Sequence, residues 1–298
     1  MHHIISIREV SREEIDDILD RASAIDSGNF DSEALKGKIL ANLFFEPSTR
    51  TQMSFASAMM RLGGSVISLG SVEASSVAKG ETLADTIRVV SGYADAIVLR
   101  HPLEGAARFA SESATIPVIN AGDGAGQHPS QTLLDLFTIR QSMSLEKINI
   151  GFLGDLRYGR TAHSLAAALS RYDARIHTIT PKGLELPPGL TEDLIEYGTD
   201  IVVHEHLEDV VEDLDVLYVT RIQRERFPDP ADYASIASSY RVTPDVIRGV
   251  SDRFLLMHPL PRVDEIDPRV DALPCARYFE QSRNGVPVRM AMLQKVFL

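Results

Sequence analysis

The chain is poor in cysteine, with one in 298 residues, Cys275, so no intramolecular disulfide can form. It lacks any apolar run near the roughly 18 residues expected of a membrane span. Its opening residues, Met1-His2-His3-Ile4-Ile5-Ser6-Ile7-Arg8, lack the basic region, apolar stretch and small-residue cleavage site of a signal peptide. The expectation is a cytoplasmic protein with no membrane partner. Basic residues are in deficit, 30 against 42 acidic for a net charge of −12. That argues against a broad nucleic-acid surface while leaving room for a small cationic pocket. Also missing are a Gly-x-x-x-x-Gly-Lys-[Ser/Thr] phosphate loop, a zinc-ligand spacing and a Gly-x-Ser-x-Gly elbow. The chemistry is therefore expected to need no fixed metal, no cofactor and no covalent serine.

What is present is an α/β pattern with no low-complexity segment and no solenoid repeat. At 44% hydrophobic the chain can bury a sizeable core, and its length suggests two domains. Periodicity predicts helices over 11–25, 49–62, 81–92, 103–112 and about 130–141, with strands over 39–45, 65–69 and 95–99 and an apolar segment at 116–120. The pattern restarts with a strand over 148–154 and helices over 160–171 and 191–196. Strands follow over 175–180, 200–203 and 215–219, with a polar loop near 222–232. Two doubly wound sheets are expected. A last helix over 286–297, with Pro287 near its first turn and apolar Val288, Met292 and Val296, needs a surface to cover.

The densest polar signal is Phe45-Glu46-Pro47-Ser48-Thr49-Arg50-Thr51-Gln52, where a buried strand turns into an amphipathic helix. The first amides of a helix have no intrahelical partner and carry the positive end of its dipole, so an anion there gains donors and favourable charge together. Arg50 adds a planar fork suited to phosphate oxygens. Ser48 and Thr49 fit either this role or an ordinary N-cap. Ser75-Ser76-Val77-Ala78-Lys79-Gly80-Glu81-Thr82 presents Lys79 either to an anion or to solvent. Arg100-His101-Pro102 follows an apolar strand at the edge where ligands of open sheets bind. His128-Pro129-Ser130-Gln131 opens a helix, and a neutral imidazole there can donate to a carbonyl oxygen or simply complete a capped loop.

In the second half, Gly154-Asp155-Leu156-Arg157-Tyr158-Gly159-Arg160-Thr161 lacks dinucleotide-binding glycine spacing, and its Arg160 suits a carboxylate. Thr220-Arg221-Ile222-Gln223 supplies a second arginine and an amide at the equivalent edge, followed by the charge run Arg224-Glu225-Arg226. His258-Pro259-Leu260-Pro261-Arg262 is a proline-stiffened loop that either offers its carbonyls to an ammonium group or is simply a rigid structural loop. His204-Glu205-His206 has two histidines on one strand face, but no accompanying cluster makes a metal site of them. Solvated strand-end residues are expected there.

These segments, in this order and approximate spacing, resemble the catalytic chains of the aspartate branch of the aspartate/ornithine carbamoyltransferase family, from His3 to the final helix. The resemblance implies a carbamoyl-phosphate domain over 1–136, completed by a C-terminal helix, 286–298, that returns to it, and an aspartate domain over 137–285. It implies carbamoyl phosphate held by Ser48, Thr49, Arg50 and Thr51, with Arg100, His128 and Gln131 around its carbamoyl end. Ser75 and Lys79 would come from a neighbouring subunit, making a homotrimer with shared sites. Arg160, Thr161, Arg221 and Gln223 would hold L-aspartate together with Lys79, while carbonyls around Pro259 and Leu260 orient its amine. The amine would attack the carbamoyl carbon, with Thr51, Arg100 and His128 stabilising the oxyanion; Arg50 and Lys79 complete the expected catalytic set. Both a bare trimer and an assembly with separate regulatory chains fit the family.

Three rival readings compete with this one. An ornithine carbamoyltransferase would share the first half, but those enzymes resemble His-Cys-Leu-Pro where this chain has His258-Pro259-Leu260-Pro261. A nucleotide-dependent oxidoreductase rests on the doubly wound pattern and the Gly154 region alone. A binding-only relative is disfavoured by the full set of candidate catalytic residues.

Overall fold

The computed structural model describes residues 2–70, 80–222 and 240–298. The chain divides into two compact units, Met1–Phe137 with Asn284–Leu298, and Thr138–Arg283. Ser75, Lys79 and Gln223 lie outside the described residues, as do Arg224-Glu225-Arg226 and most of the predicted polar loop.

In the first unit, α1 (Arg12–Asp26) starts at a full capping box, with Ser11 and Glu14 each accepting the other's backbone N–H, and buries Ile15, Ile18, Leu19, Ala22 and Ile25 at helical spacing. Strands β1 (Ile39–Phe44), β2 (Ser65–Ser68), β3 (Ala96–His101) and β4 (Val118–Asp123) form a parallel sheet in the order β2-β1-β3-β4. They are linked by α2 (Thr49–Arg61), α3 (Leu83–Ser91) and α4 (Ala106–Ser113), and α5 (Pro129–Arg140) follows β4. Five of six residues in β1 and in β3 are buried, as both faces of a covered parallel sheet require.

The second unit repeats the plan with β5 (Asn149–Leu153), α6 (Arg160–Leu169), β6 (Arg175–Ile179), α7 (Pro188–Glu196), β7 (Ile201–His204), β8 (Val216–Val219) and β9 (Leu255–Met257). Its parallel sheet runs β7-β6-β5-β8-β9. Strand β9 is missing from the pattern read above, because a three-residue strand inside Phe254-Leu255-Leu256-Met257 is too short to show a period.

In each sheet the strand order reverses once, between β1 and β3 and between β5 and β8, and a crevice at the carboxyl ends of such a pair is where open α/β sheets bind ligands. Both pairs are pinned at their amino ends by the same device. Asp95 accepts from the Ile39 N–H at 2.9 Å, and Asp215 from the Asn149 N–H at 2.8 Å.

The final helix, α8 (Tyr278–Phe297), begins eight residues before the predicted start, so Pro287 lies inside it. The missing proline N–H removes a rung, and burial of Tyr278, Val288, Met292 and Leu293 holds the helix across the gap. Its C-terminal half packs in the first unit: Arg289 donates to Ser54 of α2, and Lys295 to Asp17 of α1.

Gly154, just after β5, marks the closest approach at the second switch point. Its φ is +115°, and a Cβ there would collide with the Thr220 carbonyl oxygen. We expect Gly154→Ala to cost about 2–4 kcal/mol in urea unfolding. Gly183→Ala, at φ +90° with open space around it, should cost about 1–2 kcal/mol.

Candidate functional site

The carboxyl end of β1 runs through Phe45, Glu46 and Pro47 into α2. Ser48 occupies the N-cap with extended backbone, and its carbonyl accepts the first helical bond from the Gln52 N–H at 3.0 Å, yet its side chain makes no cap hydrogen bond. Ser11 and Thr82 do cap their helices. Among the described residues the first-turn amides of α2 therefore stay open beside the Ser48 hydroxyl, and the turn holds no acidic residue to compete for them. Thr49 and Arg50 are exposed and Thr51 is buried. No hydrogen bond or ion pair among the described residues takes up the Arg50 guanidinium. Desolvation by the surrounding fold lowers its pKa from the ordinary arginine value although the side chain reaches solvent.

Arg100 lies on the partner strand of the switch pair, opposite Phe44 in register, and is buried. Its Nη1 donates to the Ala121 carbonyl at 3.1 Å, and its Nη2 is 3.3 Å from Glu46 Oε1. A strand neighbour and a carboxylate thus hold the guanidinium at the sheet edge. The adjacent His101 differs: its Nδ1 accepts the Leu103 N–H, and burial lowers its pKa, so it serves the turn.

After β4 the chain reaches His128 through a loop organised by two buried side chains that sequence reasoning passed over. Asn120 donates to the Ile5 carbonyl at 2.9 Å and to Asp123 at 3.0 Å, and accepts the Gly122 N–H at 2.8 Å. Asp123 accepts from the Gln127 and Gly105 N–H groups. This fixes buried His128 at the start of α5, where its carbonyl accepts from the Gln131 and Thr132 N–H groups. Its Nδ1 lies 3.4 Å from Ser130 Oγ, while Gln131 Nε2 donates to Asp135 at 2.9 Å.

Behind these residues sits Arg289 of α8, also unforeseen. It is 3% exposed, donates to Ser54 Oγ at 2.9 Å and Ser130 Oγ at 3.4 Å, and stacks over the Phe55 ring. Burial lowers its pKa to about 10, against the opposing charge of Asp135. The signal was a lone charge within the apolar run Val286-Pro287-Val288-Arg289-Met290-Ala291-Met292. The first unit thus brings Ser48, Thr49, Arg50, Thr51, Arg100, His128 and Gln131 to the carboxyl edge of one sheet. An apolar cavity of about 520 Å³ beside Phe45, His101, Leu103 and Phe109 is lined by none of them.

In the second unit, Arg160 and Thr161 open α6, and Arg221 follows β8 through Thr220. Buried Asp155 accepts the Tyr158 N–H at 3.1 Å, holding the turn before Arg160. Thr220 Oγ1 donates to the Leu153 carbonyl at 3.0 Å, closing the switch pair beneath Arg221. Pro259 and Leu260 follow β9 at the same edge, with Leu260 at φ +54°. His204 departs from the solvated reading. Its Nε2 is 2.9 Å from Nδ1 of buried His177, its diagonal neighbour across β6 and β7. No group of three or more metal-ligating side chains occurs among the described residues, and no described helix is long and apolar enough to cross a membrane.

Residues 2–141 match the family model "Aspartate/ornithine carbamoyltransferase, carbamoyl-P binding domain", and residues 146–296 match "Aspartate/ornithine carbamoyltransferase, Asp/Orn binding domain". The chain is 68% identical to the aspartate carbamoyltransferase catalytic subunit of Methanosphaerula palustris, covering 99% of each, and 58% identical to that of Haloquadratum walsbyi, covering 98% of this chain and 96% of the relative. Among solved structures it is similar to the catalytic subunit of M. jannaschii aspartate transcarbamoylase, at TM-score 0.94 and 53% identity over 99% and 98% of the two chains. It is also similar to the Trypanosoma cruzi enzyme in complex with N-(phosphonacetyl)-L-aspartic acid, at TM-score 0.92 and 41% identity over 99% and 96%.

The difference between the two N-caps is measurable without any ligand. Ser11→Ala should cost about 1 kcal/mol of stability, and Ser48→Ala should stay within about 0.5 kcal/mol of wild type in denaturant titrations.

Proposed function

We propose that this chain, which belongs to the aspartate/ornithine carbamoyltransferase family, is an aspartate carbamoyltransferase acting in pyrimidine synthesis. It moves the carbamoyl group of carbamoyl phosphate to the amine of L-aspartate, giving N-carbamoyl-L-aspartate and phosphate. The observation that carries this reading is the open start of α2, with a Ser48 hydroxyl that makes no cap hydrogen bond, no acid in the first turn, and Arg50 and Arg100 at the same switch point.

In this reading residues 1–136 with 286–298 bind carbamoyl phosphate, and residues 137–285 bind aspartate. The phosphate sits on the amides and hydroxyls of Ser48, Thr49 and Thr51 with the Arg50 guanidinium. Arg100, His128 and Gln131 surround the carbamoyl group. Arg160 and Arg221 take the two carboxylates of aspartate, helped by Thr161 and Gln223, and carbonyls at Pro259 and Leu260 orient its ammonium group.

The deprotonated amine attacks the carbamoyl carbon. As the C–N bond forms, negative charge gathers on the carbamoyl oxygen, where Thr51, Arg100 and His128 donate to it. The bond to the phosphate oxygen then breaks, and the departing phosphate accepts the amine proton. Fixed donors and charges are in place before the oxyanion develops, and such preorganisation supplies most of the acceleration in reactions of this kind. Ser75 and Lys79 of a neighbouring subunit complete each site, so the smallest working form is a homotrimer, to which regulatory chains can add. The chain works in the cytoplasm.

With carbamoyl phosphate supplied, the purified chain should form carbamoyl-aspartate from L-aspartate and no product from L-ornithine, at a mass of three chains by light scattering. Arg50→Ala should lower turnover by about 10²–10³-fold with the trimer intact. Product from ornithine, or near-normal turnover in Arg50→Ala, would overturn the reading.

A further inference from the structure

His258, the residue after β9, is 2% exposed and makes three polar contacts. Its backbone N–H donates to Gln281 Oε1 at 2.9 Å. Its Nδ1 lies 2.8 Å from the Leu260 backbone nitrogen, and its Nε2 lies 2.7 Å from Glu265 Oε1. A backbone nitrogen can only donate, so Nδ1 must present its lone pair. The ring proton is thereby assigned to Nε2, where it meets the carboxylate. Glu265 is itself buried, and its second oxygen accepts from the Val263 and Asp264 N–H groups, each at 3.0 Å. Burial pushes its carboxyl pKa up, but the His258 hydrogen bond and the backbone N–H groups of Glu265 and Val263 outweigh it and hold the group below the usual carboxylate value. The carboxylate is therefore ionised at neutral pH and able to receive the Nε2 proton.

Two residues downstream of His258, Leu260 has φ +54°, a conformation a branched side chain seldom adopts unless its surroundings impose it. In that conformation its N–H donates to His258 Nδ1. We propose that Glu265 is a positioning residue for aspartate binding: by fixing the His258 tautomer it makes Nδ1 the acceptor that holds Leu260 left-handed, and so sets the carbonyls of Pro259 and Leu260 for the ammonium group. This rests on the aspartate reading of the Pro259–Leu260 loop given above. Glu265 touches no substrate; it acts through His258. The geometry also accounts for a carboxylate at this position where an amide would not serve. Glu265→Gln would turn either an NH₂ group toward two backbone donors or the same group toward the Nε2 proton.

Steady-state kinetics of the full chain test this. Glu265→Gln should raise the KM for L-aspartate about tenfold, the equivalent of one good hydrogen bond, and leave the KM for carbamoyl phosphate within about twofold. His258→Asn places Oδ1 where Nδ1 stood and still accepts the Leu260 N–H, so its aspartate KM should rise no more than about threefold. Adding Glu265→Gln to His258→Asn should raise it no further, because the carboxylate would have no ring left to orient. An unmoved aspartate KM in Glu265→Gln, equal losses for both substrates, or full additivity in the double variant would overturn the proposal while leaving the carbamoyl-transfer reading in place. Failure of the wild-type chain to make carbamoyl-aspartate would overturn that reading and this one with it. Should Glu265→Gln not fold, the ¹⁵N spectrum of the His258 imidazole in the wild-type chain decides: a proton on Nε2 with bare Nδ1 is expected, and the opposite tautomer would contradict the proposal.

Discussion

The constraint on which the first unit turns is that the leading amides of a helix cannot be satisfied by the helix itself. Most helix starts meet it with a side-chain cap, as Ser11 does for α1. At α2 the capping position is filled by serine but the cap is not made, and among the described residues the donors stay open at the carboxyl edge of a parallel sheet. The rest of the unit is arranged around that opening. The strand order reverses beside it, Arg100 is held by Ala121 on β4 and by Glu46 in the turn after β1, and the buried Asn120–Asp123 pair shapes the loop that delivers His128. Buried polar groups of this kind hold a site rigid only when they are satisfied, which is why so many of these contacts go to backbone.

The second unit uses the same sheet logic with different polar chemistry. Asp215 ties the amino ends of its switch pair as Asp95 does in the first, and Gly154 allows a backbone approach at the carboxyl ends that a Cβ would block. Its carboxyl edge carries arginines and a carbonyl-bearing loop, of a chemistry suited to carboxylates and an amine, where the first unit carries a helix N-terminus of a kind suited to phosphate. The two units share one device and differ in the polar groups each presents at its carboxyl edge.

Much of this was legible from sequence because it is local. The junction at 45–52, the arginines after apolar strands and the alternating periods all lie within windows of about ten residues, where strand, helix and cap signals act. What was missed is long-range or short. Arg289 meets Ser54 from 235 positions away, and nothing near it in sequence says which surface it will reach. Asn120 and Asp123 look like loop residues until burial and partners are known. Strand β9 has too few residues to declare a period, and the early turns of α8, beginning Tyr278-Phe279-Glu280-Gln281, are obscured by the proline that follows. His204 looks solvated in sequence because its partner, His177, stands on a different strand. Element type is set locally, whereas polar partners are set by topology.

A crystal structure of the chain with carbamoyl phosphate bound decides whether the open start of α2 is the phosphate site. The account predicts the phosphorus at that helix start, its oxygens about 2.7–3.1 Å from the amides and hydroxyls of Ser48, Thr49 and Thr51 and from the Arg50 guanidinium. A carbamoyl phosphate seated elsewhere, with the α2 amides facing only water, would contradict it.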